Sequence, residues 1–533
     1  MESILFYDTT LRDGTQGEKI NFTASDKLKV ALKLDSLGIH YIEGGWPGAS
    51  TKDWEFFQMA AGHTLENAKL SAFGSTHKHG IRPEEDRQLN AIIESRVGVG
   101  AIVGKSWDLH VEKVLDVTLD ANLEMIHDSV AYLKENELEV HYDAEHFFDG
   151  YRENPGYAIK TVEAAATGGA DAIVLCDTNG GVLPHEIESV VGEIRPVIEN
   201  AGGKTIRIGI HCHNDSNVAV ANSIAAVRAG ATIIQGTING YGERCGNADL
   251  TSLIPIMKLK MGYSCISDEN MAKLQRISLF VSEAANMTPV NSRPFVGKSA
   301  FAHKGGIHVH AIMKEPRTYE HIDPELVGNS RRVLVSDMGG RSNIEYKAKE
   351  LGIKLDGAGS SNIISEIKRL EQDGYQFDVA DGSFQIIMEK LSNQFKPHFE
   401  LESFRVTIEK DKDDPAHSHA MIKITVDGEE EITAAEGDGP VSALDNALRK
   451  ALYHVYADIL DPVHLVDFKV RVIEGREGTS ARVRVLIDTR DEESIWSTIG
   501  VSEDIIEASW QALSDSFQYK LARLKNGGTD GEK

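Results

Sequence analysis

The first 245 or so residues predict a closed (β/α)8 barrel, on three observations. Short apolar runs alternate with amphipathic helical stretches, the runs number eight, and polar and charged residues collect where the runs end. Alternating strand and helix patterns imply a parallel sheet. Eight strands favour a closed barrel over an open doubly wound sheet, and the functional residues of such a barrel sit at its C-terminal strand ends. No GxGxxG follows the first run, which argues against a dinucleotide fold.

In order, the strand-like runs are residues 4–8, 41–44, 69–73, 97–103, 139–144, 172–176, 207–211 and 232–236. Helical patterns lie between them, among them 27–37, 84–95, 157–167, 184–199 and 218–229, and Gly38 and Gly230 stand where helix C-caps are expected. The strand ends carry Asp8-Thr9-Thr10-Leu11-Arg12-Asp13, Glu43-Gly44-Gly45-Trp46, Asp143-Ala144-Glu145-His146, Cys176-Asp177-Thr178-Asn179 and His211-Cys212-His213-Asn214-Asp215. After about 250 the pattern stops, and residues 265–395 read as mostly helical with loops, including the histidine-rich stretch His303 to His310. From about 398 to 525 a strand–strand–strand–helix order occurs twice, with residues 409–419 as a hairpin loop. The expected division is a catalytic barrel at 1–265, helical linker subdomains at 266–397, a C-terminal α+β regulatory or dimerisation domain with an internal repeat at 398–525, and a disordered tail at 526–533.

Hydrophobic content of 41% and charged content of 26% describe an ordinary soluble globular protein. Fifty-six basic against 82 acidic side chains leave a formal charge of −26. That excludes nucleic acid and anionic membranes as expected partners, because phosphate binding is driven by Lys and Arg. An anionic substrate then needs a local positive site. Cys176, Cys212, Cys245 and Cys265 form no CxxC pair and read as buried thiols of a reducing compartment. No apolar run reaches bilayer length, and the N-terminus reads as a first strand rather than a signal or transit peptide. A cytoplasmic protein is expected.

In a strand, residues two apart share a face, so His211 and His213 can reach one ion together. Asp13, on the polar turn after the first strand, supplies a third ligand if both strand ends open on the same face of one barrel. One carboxylate and two imidazoles suit a divalent ion such as Zn, Mn, Fe or Co, with Mg open if water and substrate oxygens complete its shell. Such a site would hold a 2-oxo acid through its keto oxygen and carboxylate and polarise the carbonyl. Arg12 stands beside Asp13, where it would stabilise an oxyanion or form an ion pair with Glu43 or Glu145. Thr178 offers a hydroxyl to a substrate carboxylate.

Residues 8–14 as DTTLRDG, the His211-Cys212-His213-Asn214-Asp215 stretch, 242–247 as GERCGN, and 300–308 together resemble the Claisen-condensing acyl-CoA:2-oxo acid synthases. That family includes the 2-isopropylmalate, homocitrate and citramalate synthases. The resemblance covers nearly the whole chain, and GDGPVSALDNALRKAL at 437–452 looks like the family's regulatory domain. The segments 42–49 (IEGGWPGA) and 176–181 (CDTNGG) look like the citramalate branch, where the wider family more often shows AGFP and DTVG. Thr15-Gln16 likewise stands where isopropylmalate synthases usually carry Glu-Gln.

The resemblance implies Asp13, His211 and His213 as metal ligands, with Asn247 as a fourth, weaker ligand or near neighbour. It implies Arg12 at the keto oxygen and Gln16, Glu43, Glu145 and Thr178 around the substrate. His308 and Tyr319 would complete the site across a homodimer, with His303 and His310 flanking it. The implied reaction joins acetyl-CoA and pyruvate, with a divalent metal (Mn, Mg or Zn), to give citramalate and CoA for isoleucine synthesis, and isoleucine is the implied effector of the C-terminal domain. Alternatives are a 2-isopropylmalate or homocitrate synthase, or a metal-dependent acyl-CoA lyase. The lyase has no need of the last 130 or so residues.

Overall fold

The computed structural model describes residues 3–201, 205–335, 340–353, 357–410, 412, 415–474, 481–491 and 494–523. The expected tail at 526–533 lies outside them. The chain forms two compact units, Met1–Phe301 with Ile322–Arg331, and Ala302–His321 with Arg332–Lys533.

The first unit holds β1 (Leu5–Asp8), β2 (Tyr41–Gly45), β3 (Lys69–Ser75), β4 (Val99–Lys105), β5 (Glu139–Glu145), β6 (Ala172–Asp177), β7 (Arg207–Cys212) and β8 (Ile233–Gly236). They close into a parallel barrel in sequence order, with β1 pairing both β2 and β8. The strands are buried on both faces because each is covered twice. Outward residues such as Phe6, Ile42, Ile102, Val140, Ile173 and Ile210 pack under the helices in one continuous core. Inward residues Tyr7, Tyr41, Phe73, Val99, Ala101, Ala172 and Ile233 fill the barrel. The helices obey local rules. Thr23 and Asp26 form a reciprocal capping box at Ala24–Leu37, and Gly38 ends that helix in the left-handed conformation.

The second unit has two parts. The helices Gly306–Lys314, Arg341–Glu350, Gly357–Gln372 and Asp381–Leu391 follow a two-residue parallel pair of β9 (Ala302–His303) and β10 (Arg332–Val333). Then β11 (Phe399–Glu409), β12 (His417–Val426) and β13 (Glu429–Gly437) form an antiparallel sheet followed by the helix Pro440–Leu460. The order repeats in β14 (His464–Glu474), β15 (Arg482–Arg490), β16 (Ile495–Ser502) and the helix Ile505–Arg523. Alternation drives each sheet: Ser418, Ala420, Ile422, Ile424 and Val426 of β12 are all buried. Ala443, Leu444, Ala447, Leu448, Ala451 and Leu452 form the helical stripe that covers this face, in a core shared with Val485, Ile487, Trp510, Leu513 and Phe517. The internal repeat is therefore present. The expected loop at 409–419 is shorter, because that alternation carries the pairing out to Glu409 opposite His417.

Among the described residues, no helix is long and apolar enough to cross a membrane.

Candidate active site

The turn after β1 builds the site. Asp8 accepts from the backbone and hydroxyl of Thr10, each at 2.9 Å, and Gly14 N–H donates to Thr9 O at 3.0 Å. This folds Asp13 back over the barrel mouth. One strand beyond β8, the strand alternation that ends β7 brings His211 and His213 to the same face. Their Nε2 atoms lie 3.7 and 3.9 Å from Asp13 Oδ2. Those distances are too long for hydrogen bonds. The three side chains are buried, and their ligand atoms all lie within 4.8 Å of one another.

Arg12 is pinned on three sides. Nε donates to Glu43 Oε2 at 2.5 Å, Nη1 donates to Asp13 Oδ2 at 2.9 Å, and the guanidinium lies 4.1 Å from the Phe73 ring centre. Glu43 is anchored in turn, with its Oε1 2.9 Å from the Tyr7 hydroxyl. Burial opposes the charge on Arg12, but Glu43 and Asp13 outweigh it and hold the guanidinium protonated. Burial likewise works against the Asp13 carboxylate, yet Arg12, His211 and His213 hold it well below the usual range. Burial pulls His211 down to about 3, with His213 adding to the effect, and burial also lowers His213. Both imidazoles are thus neutral at neutral pH, the form in which they ligate.

The donor set fits a divalent metal ion. Two neutral imidazoles and an ionised carboxylate converge, with Nε2 of each ring facing Asp13 Oδ2 beyond hydrogen-bond range. The neighbouring Asn247 Oδ1 is buried without a hydrogen-bond partner among the described residues, whereas Asn247 Nδ2 donates to Asp13 Oδ1 at 2.8 Å. Asn247 therefore stands behind Asp13 and steadies it. A Cβ on Gly242 would lie 2.0 Å from Asn247 Nδ2, so glycine is required for this approach.

Arg12, Asp13, Gln16, Glu145, Thr178, His211 and His213 line one cavity of about 740 Å³, within the range of small-molecule sites. Trp46, Phe73, Val103 and Met125 supply apolar wall. Glu145 forms an ion pair with Lys105. The Thr178 hydroxyl accepts from His146 N–H at 2.9 Å. Glu43 is not on the cavity wall: it is fully buried beneath Arg12 and serves as its anchor. His308 and Tyr319 lie in the second unit, where their rings stack with centres 4.1 Å apart. Beside them, His303 Nε2 lies 3.1 Å from Glu320 Oε1. Cys245 corrects the expectation of four buried thiols, since the 242–247 loop leaves it exposed while Cys176 and Cys212 are buried.

Three groups at or behind the cavity have no role in the sequence reading, although it names Asp143 among the polar strand ends. Lys105 ends β4 two residues beyond the expected strand end, and a lone cation after an apolar run was its available signal. Asp143 lines the cavity, and burial, reinforced by Glu43, pushes its carboxyl up to about 8. Gln235, read only as strand interior, joins Asp143 to His211.

Comparison with known proteins fits this geometry. A family model described as HMGL-like matches residues 3–281, one described as homocitrate synthase post-HMGL domain-like matches 295–375, and one described as LeuA allosteric (dimerisation) domain matches 378–521. The barrel and its metal-binding cluster thus define a member of the HMGL-like family that carries a LeuA-type C-terminal domain. An (R)-citramalate synthase of Geobacter sulfurreducens is 52% identical over 98% of each chain, and one of Aquifex aeolicus is 50% identical over 99% of each. A probable 2-isopropylmalate synthase of Methanopyrus kandleri is 31% identical over 98% of this chain and 99% of its own. The chain belongs to the (R)-citramalate synthase family, and it is an acyltransferase.

Proposed function

We propose that this enzyme condenses acetyl-CoA with pyruvate and water to give citramalate and CoA, and that it does so in the cytoplasm as a homodimer. The observation that carries the proposal is the convergence of Asp13, His211 and His213 beside a permanently charged Arg12 on one cavity. A divalent ion (Mn, Mg or Zn) bound by those three residues supplies Lewis acidity toward the keto oxygen and carboxylate of a 2-oxo acid.

The chain's own groups do the rest. Pyruvate sits with its keto oxygen toward Arg12, its carboxylate toward the Thr178 hydroxyl, and Gln16 alongside. A base, acting directly or through water and assisted by His308 and by Glu145 on the cavity wall, removes one proton from the acetyl methyl group and returns a proton to the alkoxide formed on C2. The carbanion bonds to C2 of pyruvate, and the electron pair of the C=O bond moves onto oxygen. Arg12 faces that developing oxyanion. Water then cleaves the thioester, leaving the citramalate carboxylate and CoA thiol. In this proposal His308 and Tyr319 act from the second copy of a homodimer, and the C-terminal repeat binds isoleucine as an inhibitor.

Product identification tests the reaction. Incubation with acetyl-CoA and pyruvate yields (R)-citramalate on chiral chromatography. Turnover of 2-oxoisovalerate to 2-isopropylmalate with pyruvate inert would overturn the proposal. Replacing His308 by Ala lowers turnover and leaves metal content unchanged; unaltered turnover would remove His308 from the mechanism.

A further inference from the structure

His211 and Gln235 stand at the same level on the adjacent strands β7 and β8. Gln235 is fully buried inside the barrel. Its Oε1 lies 2.9 Å from His211 Nδ1, and its Nε2 donates to Asp143 Oδ1 at 3.1 Å. We propose that Gln235 is a positioning residue: held by Asp143, it fixes the tautomer of His211 so that Nε2 presents its lone pair to the metal centre.

The argument is one of donors and acceptors. A side-chain amide has one donating and one accepting end, and it can face its neighbours either way round. In the structure the NH₂ end of Gln235 faces Asp143 Oδ1, since a carboxyl keeps an accepting oxygen even when it holds its proton, and the carbonyl end faces His211. A carbonyl cannot donate. The proton of the neutral imidazole must then sit on Nδ1, and Nε2, 3.7 Å from Asp13 Oδ2, is left unprotonated. If the amide turned over, its NH₂ would seek a bare Nδ1 and drive the proton onto Nε2, which would block ligation. His213 has no such device, since its Nδ1 is buried without a hydrogen-bond partner among the described residues. The tautomer is thus set on one histidine and left open on the other.

This inference rests on the metal-centre reading above, and cobalt(II) separates the two. Binding is followed on the full-length protein by visible absorption in competition with a chelator. Loss of cobalt binding in H213A tests the centre itself, and undiminished binding there would defeat the metal-centre reading. Gln235→Met keeps the volume and removes the acceptor, so affinity falls by about tenfold or more, the range for outer partners of metal-bound histidines. Gln235→Glu restores an acceptor toward Nδ1 and keeps affinity within about tenfold of the parent. A smaller loss in Gln235→Met, or an equal loss in both variants, overturns the inference. Should Gln235→Met fail to fold by circular dichroism, Asp143 decides. Asp143→Asn still offers a carbonyl oxygen to the NH₂ end, and Asp143→Ala does not, so the Ala variant binds cobalt more weakly. Equal binding by the two would overturn the inference.

Discussion

At each end of the barrel a carboxylate gathers partners around it, and the partners differ in kind. At the N-terminal end Glu139 receives the Tyr41 hydroxyl at 2.7 Å, the Lys69 ammonium at 2.5 Å, and His141 Nε2 at 3.2 Å. All of these can donate, so the Glu139 carboxylate is answered by hydrogen bonds, while His141 Nδ1 is buried without a partner among the described residues. At the C-terminal end Asp13 faces two imidazole nitrogens at 3.7 and 3.9 Å, with Arg12 as its charge partner. An imidazole that ligates through Nε2 offers a lone pair there, and a carboxylate cannot answer a lone pair. The first cluster adds stability. The second needs a cation to complete it, which is the mark of a site rather than of a core.

The contrast breaks first at His213. His213→Ala removes a ligand outright, so metal affinity falls by more than the ~100-fold that loss of an outer partner costs. Turnover goes with it, while thermal stability without added metal stays near the parent's. A variant that keeps both metal and turnover would put the two clusters on an equal footing. Arg12→Lys comes next. A lysine cannot present a fork to Glu43 and Asp13 together, so kcat drops by roughly 10²–10³, the usual cost of an oxyanion donor. Steady-state kinetics at saturating metal would read it.

Glu139→Gln sharpens the comparison from the other end. It costs about 1–3 kcal/mol of stability and leaves metal affinity and kcat unchanged. Its pH dependence has a definite sign. Burial works against the Glu139 carboxylate, but His141, Lys69 and Tyr41 hold it below the ordinary 4.5. A depressed carboxylate stabilises the fold above its unfolded value, and that contribution is lost as pH falls through the folded one. The parent's advantage over Glu139→Gln in chemical denaturation is therefore full at pH 7 and shrinks below about 4.5. An advantage that grew on acidification would contradict the assignment.

The two clusters were unequally legible in the sequence. The pairing of His211 with His213 follows from the strand period, and Asp13 from the polar turn after β1, because both are local patterns. The C-terminal repeat was legible for the same reason: β12 alternates, and the helix at Pro440–Leu460 carries a stripe. The contact of Gln235 with Asp143 was not legible, and that of Arg12 with Glu43 was legible only as one of two ion pairs, with Glu43 or Glu145. The two contacts join residues 92 and 31 positions apart across the barrel, and only closure and register bring them together. The exposure of Cys245 depends on loop geometry, which hydrophobic period does not encode.

The most direct measurement is CoA-thiol release from acetyl-CoA with pyruvate, 2-oxobutyrate, 2-oxoisovalerate or 2-oxoglutarate, each after chelation and after Mn or Mg is restored. The account predicts turnover that is lost on chelation, returns with metal, and is fastest with pyruvate. Release that ignored the chelator, or that favoured 2-oxoisovalerate, would contradict it.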